Sequence, residues 1–539
     1  MTIGEKITKL RTAANISQEL LAEKISVSRQ SVSKWEMDQA LPQIDKVLLL
    51  CELFGITTDE LLHDKISISA ENEAPKGNKY FGTDGFRGEA NVTLTSMQAY
   101  KVGRFLGWYY SSELSGCTKP GYRPRIVIGK DTRRSSYMLE YSIAAGITAS
   151  GADAYMLHVT TTPSVSYVTR QDEFDCGIMI TASHNPFYDN GIKVINRYGE
   201  KLDDNTTALI EAYIDGNLKA LGVNGNDLPL ATRDRIGCIV DYVAGRNRYV
   251  GYLISVASNS YKHLKIGLDC ANGASWQIAK SVFDALGAQT TIIGNEPDGL
   301  NVNEKCGSTH VEKLCQLVKE QHLDIGFAFD GDTDRCIAVD ENGNVVDGDA
   351  MMYILGKRLK SRGMLNKDTV VATIMSNSGF FNSLEEAGIK CEQTTVGDRF
   401  VYECMQNNDY SLGGEQSGHI ILKKYATTGD GLLTAIMVTE EICDRKTTLS
   451  SLAEPLKLYP QYMRNLRVKN KAAVLSDSDV LAAKDEVEKL INKKGRALLR
   501  QSGTEPVIRI MIESESDELC KKYADMIADV IIAKGHLAE

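Results

Sequence analysis

Nothing in the 539 residues offers a disulfide or metal-thiolate framework: the 12 cysteines are scattered, with no C-x-x-C pair and no Cys/His cluster at zinc spacing. Reduced thiols are expected. No run of about 18 apolar residues could span a bilayer, and the opening Met-Thr-Ile-Gly-Glu-Lys lacks the apolar stretch of a secretory signal. The expectation is a cytoplasmic chain without membrane contact. Basic charge is not in excess either. Lys+Arg 61 against Asp+Glu 71 leave a formal charge of -10, which argues against a surface that coats nucleic acid or acidic lipid as a whole. A small basic face remains open.

What is present is ordinary folded protein, 43% hydrophobic and 24% charged, but too long for one core. From Ile3 to about Leu62 apolar residues recur at helical spacing, which predicts four or five short helices in a unit over residues 1–63. Residues 64–78 are polar, contain Pro75 and Gly77, and read as a linker. Beyond it, short β-branched runs alternate with helical segments. Residues 125–129, 264–269 and 369–374 each open a β-loop-α-β unit, which predicts successive α/β domains with parallel sheets over 79–240, 241–345 and 346–455. Residues 456–539 read as a C-terminal α+β domain.

In the first unit Ser17 caps a short helix and a second one runs from Ser28 to Glu36, with Leu20, Leu21, Ile25, Val27, Val32 and Trp35 as core. Arg29, Gln30, Ser31, Ser33 and Lys34 face outward, with Gln18 beside them, and no acid lies between Glu23 and Glu36. Arg, Gln and Ser at the start of such a helix suit base edges in a major groove, and Lys24 and Lys34 suit phosphates. A helical bundle used for protein contact is the other reading. With Trp35-Glu36, Leu41-Pro42 and Phe54-Gly55-Ile56 through Leu62, the segment resembles the Cro/repressor helix-turn-helix family, which implies duplex DNA as a partner and leaves room for a homodimer. Ser26 stands where that family has glycine.

Four motifs carry the chemistry of the larger part. Residues 174–180 form a strand ending in Thr181-Ala182-Ser183-His184-Asn185-Pro186, where a serine on a tight loop is exposed for attack, or where the loop is simply a turn. Asp330-Gly331-Asp332-Thr333-Asp334-Arg335 places three carboxylates at i, i+2 and i+4, able to converge on a hard cation. Glu341 in twelfth place mimics an EF-hand loop, but Arg335 occupies the required glycine position. Gly414-Glu415-Gln416-Ser417-Gly418-His419 offers a carboxylate, a hydroxyl and an imidazole for a sugar. Arg500 with Ser502, Gly503, Thr504 and Arg509 has the donors to hold a phosphate dianion.

Together with the segments Tyr80–Gly88, Gly129–Arg133, Cys306–His310 and Val396–Arg399, these motifs make the chain from about Asn78 resemble the α-D-phosphohexomutase superfamily. That resemblance implies a four-domain enzyme in which Ser183 carries a phosphoryl group and joins Asp330, Asp332 and Asp334 in binding one Mg²⁺ per chain. It implies Glu415 and Ser417 on the sugar, Arg500, Ser502, Gly503, Thr504 and Arg509 on the substrate phosphate, Arg87 and Arg335 as charge neutralisers, and Lys193 and His419 as proton-transfer groups. Gln416 points to the amino-sugar branch. The implied reaction interconverts glucosamine 6-phosphate and glucosamine 1-phosphate through glucosamine 1,6-bisphosphate, with the fourth domain closing over the substrate. A glucose or mannose phosphate substrate, or a regulator sensing sugar phosphates, are the competing expectations. Thr333, where glycine or alanine is usual, and Thr181, where serine is usual, depart from the pattern.

Overall fold

The computed structural model describes residues 2–13, 16–25, 27–54, 61, 79–82, 84–112, 122–492, 494–501 and 507–538. They form two compact units, one within residues 1–77 and one within 78–539. Ser26, Thr83, Ser502, Gly503 and Thr504 lie outside the described residues, as does most of the expected linker.

The first unit contains α1 (Ile3–Ala13), α2 (Gln18–Lys24), α3 (Arg29–Glu36) and α4 (Ile44–Phe54). Ser17 Oγ accepts from Leu20 N at 3.1 Å and Ser28 Oγ accepts from Ser31 N at 3.1 Å. Each such cap is worth about 1 kcal/mol and sets where α2 and α3 begin. Ile7, Leu21, Ile25, Val32, Trp35, Val47 and Leu50 close the core. Leu20 does not join it and stays 39% exposed. Leu21 and Ile25, the latter just past the end of the two-turn helix, take the inward i, i+4 positions, and Leu20 is rotated by about 100° from Leu21.

The second unit is built on four sheets. The first has seven strands: β1 (Phe81–Gly82), β2 (Gly85–Glu89), β3 (Arg125–Lys130), β4 (Asp153–Val159), β5 (Cys176–Ile180), β6 (Asp189–Asn196) and β7 (Ile239–Asp241), in the order β1-β2-β6-β5-β3-β4-β7. The second joins β8 (Lys265–Asp269), β9 (Gln289–Ile293), β10 (Ile325–Phe329), β11 (Cys336–Asp340) and β12 (Val345–Val346) in the order β12-β11-β10-β8-β9. The third orders β13 (Thr369–Thr373), β14 (Lys390–Thr394), β15 (Leu412–Gly414) and β16 (Ile420–Leu422) as β14-β13-β15-β16. The pairs β3–β4, β3–β5, β8–β9, β8–β10, β13–β14 and β13–β15 are parallel. Parallel neighbours need crossovers, and the helices Arg134–Ala149 and Thr162–Gln171 supply them in the first sheet. β5 and β10 are buried along their whole length, as strands covered on both faces must be.

The fourth sheet is antiparallel, β17 (Gln461–Arg467), β18 (Arg496–Gln501) and β19 (Val507–Glu513) in the order β17-β19-β18, covered by the helices Ser478–Ile491 and Asp517–Ala533. Three α/β layers and one α+β layer follow the helical unit. The second and third layers share one hydrophobic core running from Tyr249 to Leu449, while the first and the fourth have cores of their own. The first sheet extends through Asp241 and the second through Val346, because β7 pairs with β4 and β12 with β11. Strand pairing thus carries each layer one residue past the positions 240 and 345 where sequence pattern places a change of domain. Among the described residues no helix is long and apolar enough to cross a membrane, and the described cysteines are free thiols.

Candidate functional site

Three of the four motif loops leave the C-terminal ends of β5, β10 and β15, where open α/β sheets gather their functional groups. Ser183 follows β5 and is buried. Its Oγ donates to Asp330 Oδ2 at 2.5 Å and lies 3.4 Å from His184 Nδ1. Its φ of +52° is left-handed, a conformation that costs a residue with a Cβ about 1–2 kcal/mol. Thr181, the departure from the usual serine, keeps the hydroxyl function: its Oγ1 donates to Asp131 Oδ2 at 2.7 Å and accepts from Ser183 N at 2.9 Å.

Asp330, Asp332 and Asp334 converge, with one carboxylate oxygen from each lying within 4.8 Å of the others. Asp332 Oδ1 and Asp334 Oδ1 are buried without a hydrogen-bond donor. Oxygen ligands in a tight buried cluster, two of them lacking any donor, fit a hard divalent cation such as Mg²⁺. The EF-hand alternative fails in three dimensions. β10 and β11 are strands paired antiparallel, and Glu341 is turned away to accept from Ser450 N at 3.3 Å. Thr333 sits at φ +65°, which explains why glycine suits this position, and its buried Oγ1 has no partner.

Lys193 Nζ lies 2.9 Å from Asp332, 3.0 Å from Asp334 and 3.1 Å from Asp84. Burial alone would discharge this amine. The carboxylates of Asp332, Asp334 and Asp84 outweigh it and hold the ammonium well above its ordinary value. The converse holds at Asp330, which burial and then Asp334 and Asp332 push well above the usual carboxylate range. Asp84 also pairs with Arg87, and burial is overcome there by Lys193, Lys201 and Arg87, which keep its carboxyl below the usual range. Arg335 donates from Nη1 to His184 Nδ1 at 3.1 Å, so that nitrogen is an acceptor. Burial, then Arg335 and Arg87, push His184 down to about 4, and the ring is neutral at physiological pH. Both arginines keep a buried Nε without a hydrogen bond in the structure.

Glu415 Oε1 accepts from Gly397 N at 3.0 Å and its Oε2 lies 3.5 Å from Ser417 Oγ. Gln416 is directed elsewhere, donating to Asp347 Oδ2 at 3.1 Å, and its side chain therefore supports the loop rather than lining it. His419 accepts from Gly429 N at Nε2, 3.1 Å, while Nδ1 faces Asp334 at 3.8 Å. In the fourth layer Arg500 and Arg509 are direct cross-strand partners on β18 and β19. Burial and then Arg509 lower the pKa of Arg500, and two cations set opposite each other repel unless an anion lies between them.

Sequence reasoning missed Lys201 as a member of the site. Its Nζ lies 3.0 Å from Asp84 Oδ1 and 2.6 Å from Asp398 Oδ2, across 117 and 197 positions of chain. Asp84 and Asp398 fall inside quoted motifs, but nothing in Gly199-Glu200-Lys201-Leu202 signals the link. A cavity of about 280 Å³ runs between these groups, with Lys193, Asp334 and His419 in its wall.

In the helical unit Arg29, Gln30, Lys34 and Lys24 are exposed, and Ser31 and Ser33 are half-buried. Ser31 shares its hydroxyl with Ser28 at 2.9 Å, and Gln18 donates to Glu36 at 2.6 Å, where Arg11 also binds. Arg29 pairs with Glu19 at 2.7 Å, with both side chains exposed.

Comparison with known proteins gives a match on every layer. Descriptions of the phosphoglucomutase/phosphomannomutase alpha/beta/alpha domains I, II and III match residues 78–220, 247–343 and 347–459, and that of the C-terminal domain matches 463–530. A helix-turn-helix description matches residues 7–61. Phosphoglucosamine mutase of Lachnospira eligens is 58% identical over 458 residues, covering 85% of this chain and 99% of the relative. Phosphoglucosamine mutase of Bacillus subtilis is 46% identical over 453 residues, covering 84% and 98%. Among solved structures, Aspergillus fumigatus N-acetylphosphoglucosamine mutase in complex with GlcNAc-6P and magnesium superposes with a TM-score of 0.59 at 19% identity, covering 85% of this chain and 96% of that one. At that identity the likeness concerns the fold alone.

Proposed function

The chain belongs to the phosphoglucomutase/phosphomannomutase family, as an intramolecular phosphotransferase, and from this we propose that it interconverts glucosamine 6-phosphate and glucosamine 1-phosphate through phosphorylated Ser183 and glucosamine 1,6-bisphosphate. The observation that carries the reading is the contact of Ser183 Oγ with Asp330 at 2.5 Å, with Arg335 and Arg87 reaching the adjoining His184 and Asn185. A sugar hydroxyl attacks the phosphorus on Ser183, the bond from phosphorus to Oγ breaks, and a bisphosphate results. The bisphosphate turns around and returns its other phosphoryl group to the same Oγ.

Arg87 and Arg335 neutralise the transferring group, the kind of fixed charge that phosphoryl transfer relies on most. Lys193, held as an ammonium by three carboxylates, and His419, whose Nδ1 faces Asp334, are the proton-transfer groups: between them the proton leaves the attacking sugar hydroxyl and one is returned to Ser183 Oγ. Glu415 and Ser417 take the sugar hydroxyls. Arg500 and Arg509, with Ser502, Gly503 and Thr504, hold the phosphate that is not being transferred. One Mg²⁺ per chain would be held by Asp330, Asp332, Asp334 and the Ser183 phosphate, and when bound it supplies electrophilic stabilisation of the phosphoryl oxygens. The substrate assignment rests on the 58% identity to phosphoglucosamine mutase over 458 residues. Purified protein assayed on glucosamine, glucose and mannose 6-phosphates will show the highest kcat/KM on the amino sugar, by about 10-fold or more for a contact worth over 1.4 kcal/mol. A preference for glucose or mannose phosphate removes the amino-sugar reading and keeps the mutase.

The helical unit is proposed to bind duplex DNA through Gln18, Arg29, Gln30, Ser31, Ser33 and Lys34. Support comes from α3, whose first turn carries no acid while Arg29 and Gln30 are exposed at its start. Because acids outnumber bases in residues 1–61, phosphate contacts are few, and log K should fall with log salt at about -0.9 per phosphate neutralised. Selection of bound duplexes from a random library, followed by anisotropy titrations across salt, will return a preferred sequence whose discrimination Arg29→Ala and Gln30→Ala relax. Binding without sequence preference at every salt concentration would leave a protein-contact module.

A further inference from the structure

Ser183 is the residue whose geometry the enzyme must hold most tightly, and its own backbone resists: a side chain with a Cβ at φ +52° needs surrounding structure to keep it there. The holding groups converge on one atom. Ser183 O accepts from Arg133 Nη2 at 2.8 Å and from Asn303 Nδ2 at 2.8 Å. The same two side chains reach the next carbonyl but one, Asn185 O, at 2.8 Å and 3.2 Å. Arg133 is fully buried, bonds Asp131 through Nε at 2.7 Å and extends to Pro186 O and Asp189 O, so its guanidinium threads the whole nucleophile loop from within the first layer.

Asn303 arrives from the other side. It lies in the second layer, between β9 and β10, 120 positions from Ser183, and is buried apart from a small rim. Its own backbone is left-handed at φ +58° and is anchored by Asn303 N donating to Ala271 O at 2.9 Å. Gly331, between the first two carboxylates, packs on the same carbonyl, and a Cβ there would lie 2.5 Å from Ser183 O. Ser183 O is therefore where the serine loop of the first layer is bonded to the β9–β10 connection of the second and packs against its carboxylate loop.

We propose that Asn303 is a positioning residue for phosphoryl transfer: by donating from Nδ2 to Ser183 O and Asn185 O it fixes the nucleophile against Asp330 without touching substrate. The proposal rests on Ser183 being the phosphoryl carrier. Asn303 is remote from Glu415, Ser417, Arg500 and Arg509 in chain and in layer, so its loss should lower kcat and spare KM. A misplacement of about 1 Å at a reacting centre costs on the order of 10²-fold in rate.

The test uses the full chain with Mg²⁺ and two variants that tolerate the left-handed backbone. Asn303→Gly removes the donor, and Asn303→Asp keeps the shape but points an acceptor at two carbonyls. The expected result is folded protein with kcat on glucosamine 6-phosphate reduced about 10²-fold, more for Asn303→Asp, and KM within about twofold of the parent. Unchanged kcat in either folded variant overturns the proposal. So does a parallel change in kcat and KM, and failure of both variants to fold would make Asn303 a stability residue only. Ser183→Ala is measured alongside: if that variant turns over normally, the carrier assignment has failed, whereas an inactive Ser183→Ala with a fully active Asn303→Gly refutes the clamp alone.

Discussion

Ser183→Ala is expected to eliminate interconversion of the hexose phosphates, lowering kcat by at least about 10⁴-fold, the scale on which removal of a covalent nucleophile acts. No neighbouring group can stand in for the lost hydroxyl. Thr181 Oγ1 is spent on Asp131 and on Ser183 N. His184 Nδ1, 3.4 Å from Oγ, is occupied by Arg335. Alanine keeps the same Cβ at the same φ, so backbone strain is unchanged and only the hydrogen bond to Asp330 is lost, worth about 1 kcal/mol. The variant should fold, bind sugar phosphate and contain no phosphoserine by mass spectrometry. Undiminished turnover in folded Ser183→Ala would defeat the carrier assignment outright.

Removal of the divalent cation should be nearly as damaging. Three buried carboxylates within 4.8 Å must be balanced when a dianionic phosphoryl group enters, and Lys193 with Arg335 can offset only part of that charge. Electrophilic stabilisation by a bound cation is worth several kcal/mol, so chelation should lower kcat by about 10³-fold and added Mg²⁺ should restore it. Asp332→Asn should weaken Mg²⁺ affinity, raising the Mg²⁺ concentration for half-activity, and should also lower stability, because the buried Asp332 Oδ2 pairs with Lys193 Nζ at 2.9 Å and accepts from Thr162 Oγ1. Because the cation binds the folded state, saturating Mg²⁺ should also raise the unfolding midpoint, by an amount that grows with the logarithm of its concentration. Full activity after exhaustive chelation would show that the carboxylates serve Lys193 and not a metal.

The parts of this site that could be read from the chain are those built from neighbours in sequence. Asp330, Asp332 and Asp334 alternate between two apolar runs, and such spacing already brings their side chains together once the runs become β10 and β11. Ser183 stood out in the chain only as a serine on a loop after an apolar strand, and the carrier role proposed for it comes from the family resemblance. Thr333 stood out as an unusual residue, but the cause, a left-handed backbone at φ +65°, is visible only in the structure. Gln416 shows the opposite: by resemblance its identity points to a branch of the family, while its side chain turns out to brace its own loop against Asp347. Leu20 was misplaced because a two-turn helix offers too short a pattern to say which of two adjacent leucines faces in.

The amino-acid sequence by itself determined the order of the units, the α/β and α+β character of the layers, and the motif loops from which the nucleophile, carboxylates, sugar contacts and phosphate contacts are proposed. Periodicity and strand–loop patterns act over a few residues, so the chain carries them locally. Tertiary structure alone decided which charges become neighbours. Lys201 meets Asp84 and Asp398, Lys193 meets three carboxylates, and Asn303 meets the Ser183 carbonyl, all across more than a hundred positions or between layers. Protonation and positioning depend on separations of a few ångströms through a low-dielectric interior. Those separations are set by packing and have no counterpart in sequence spacing.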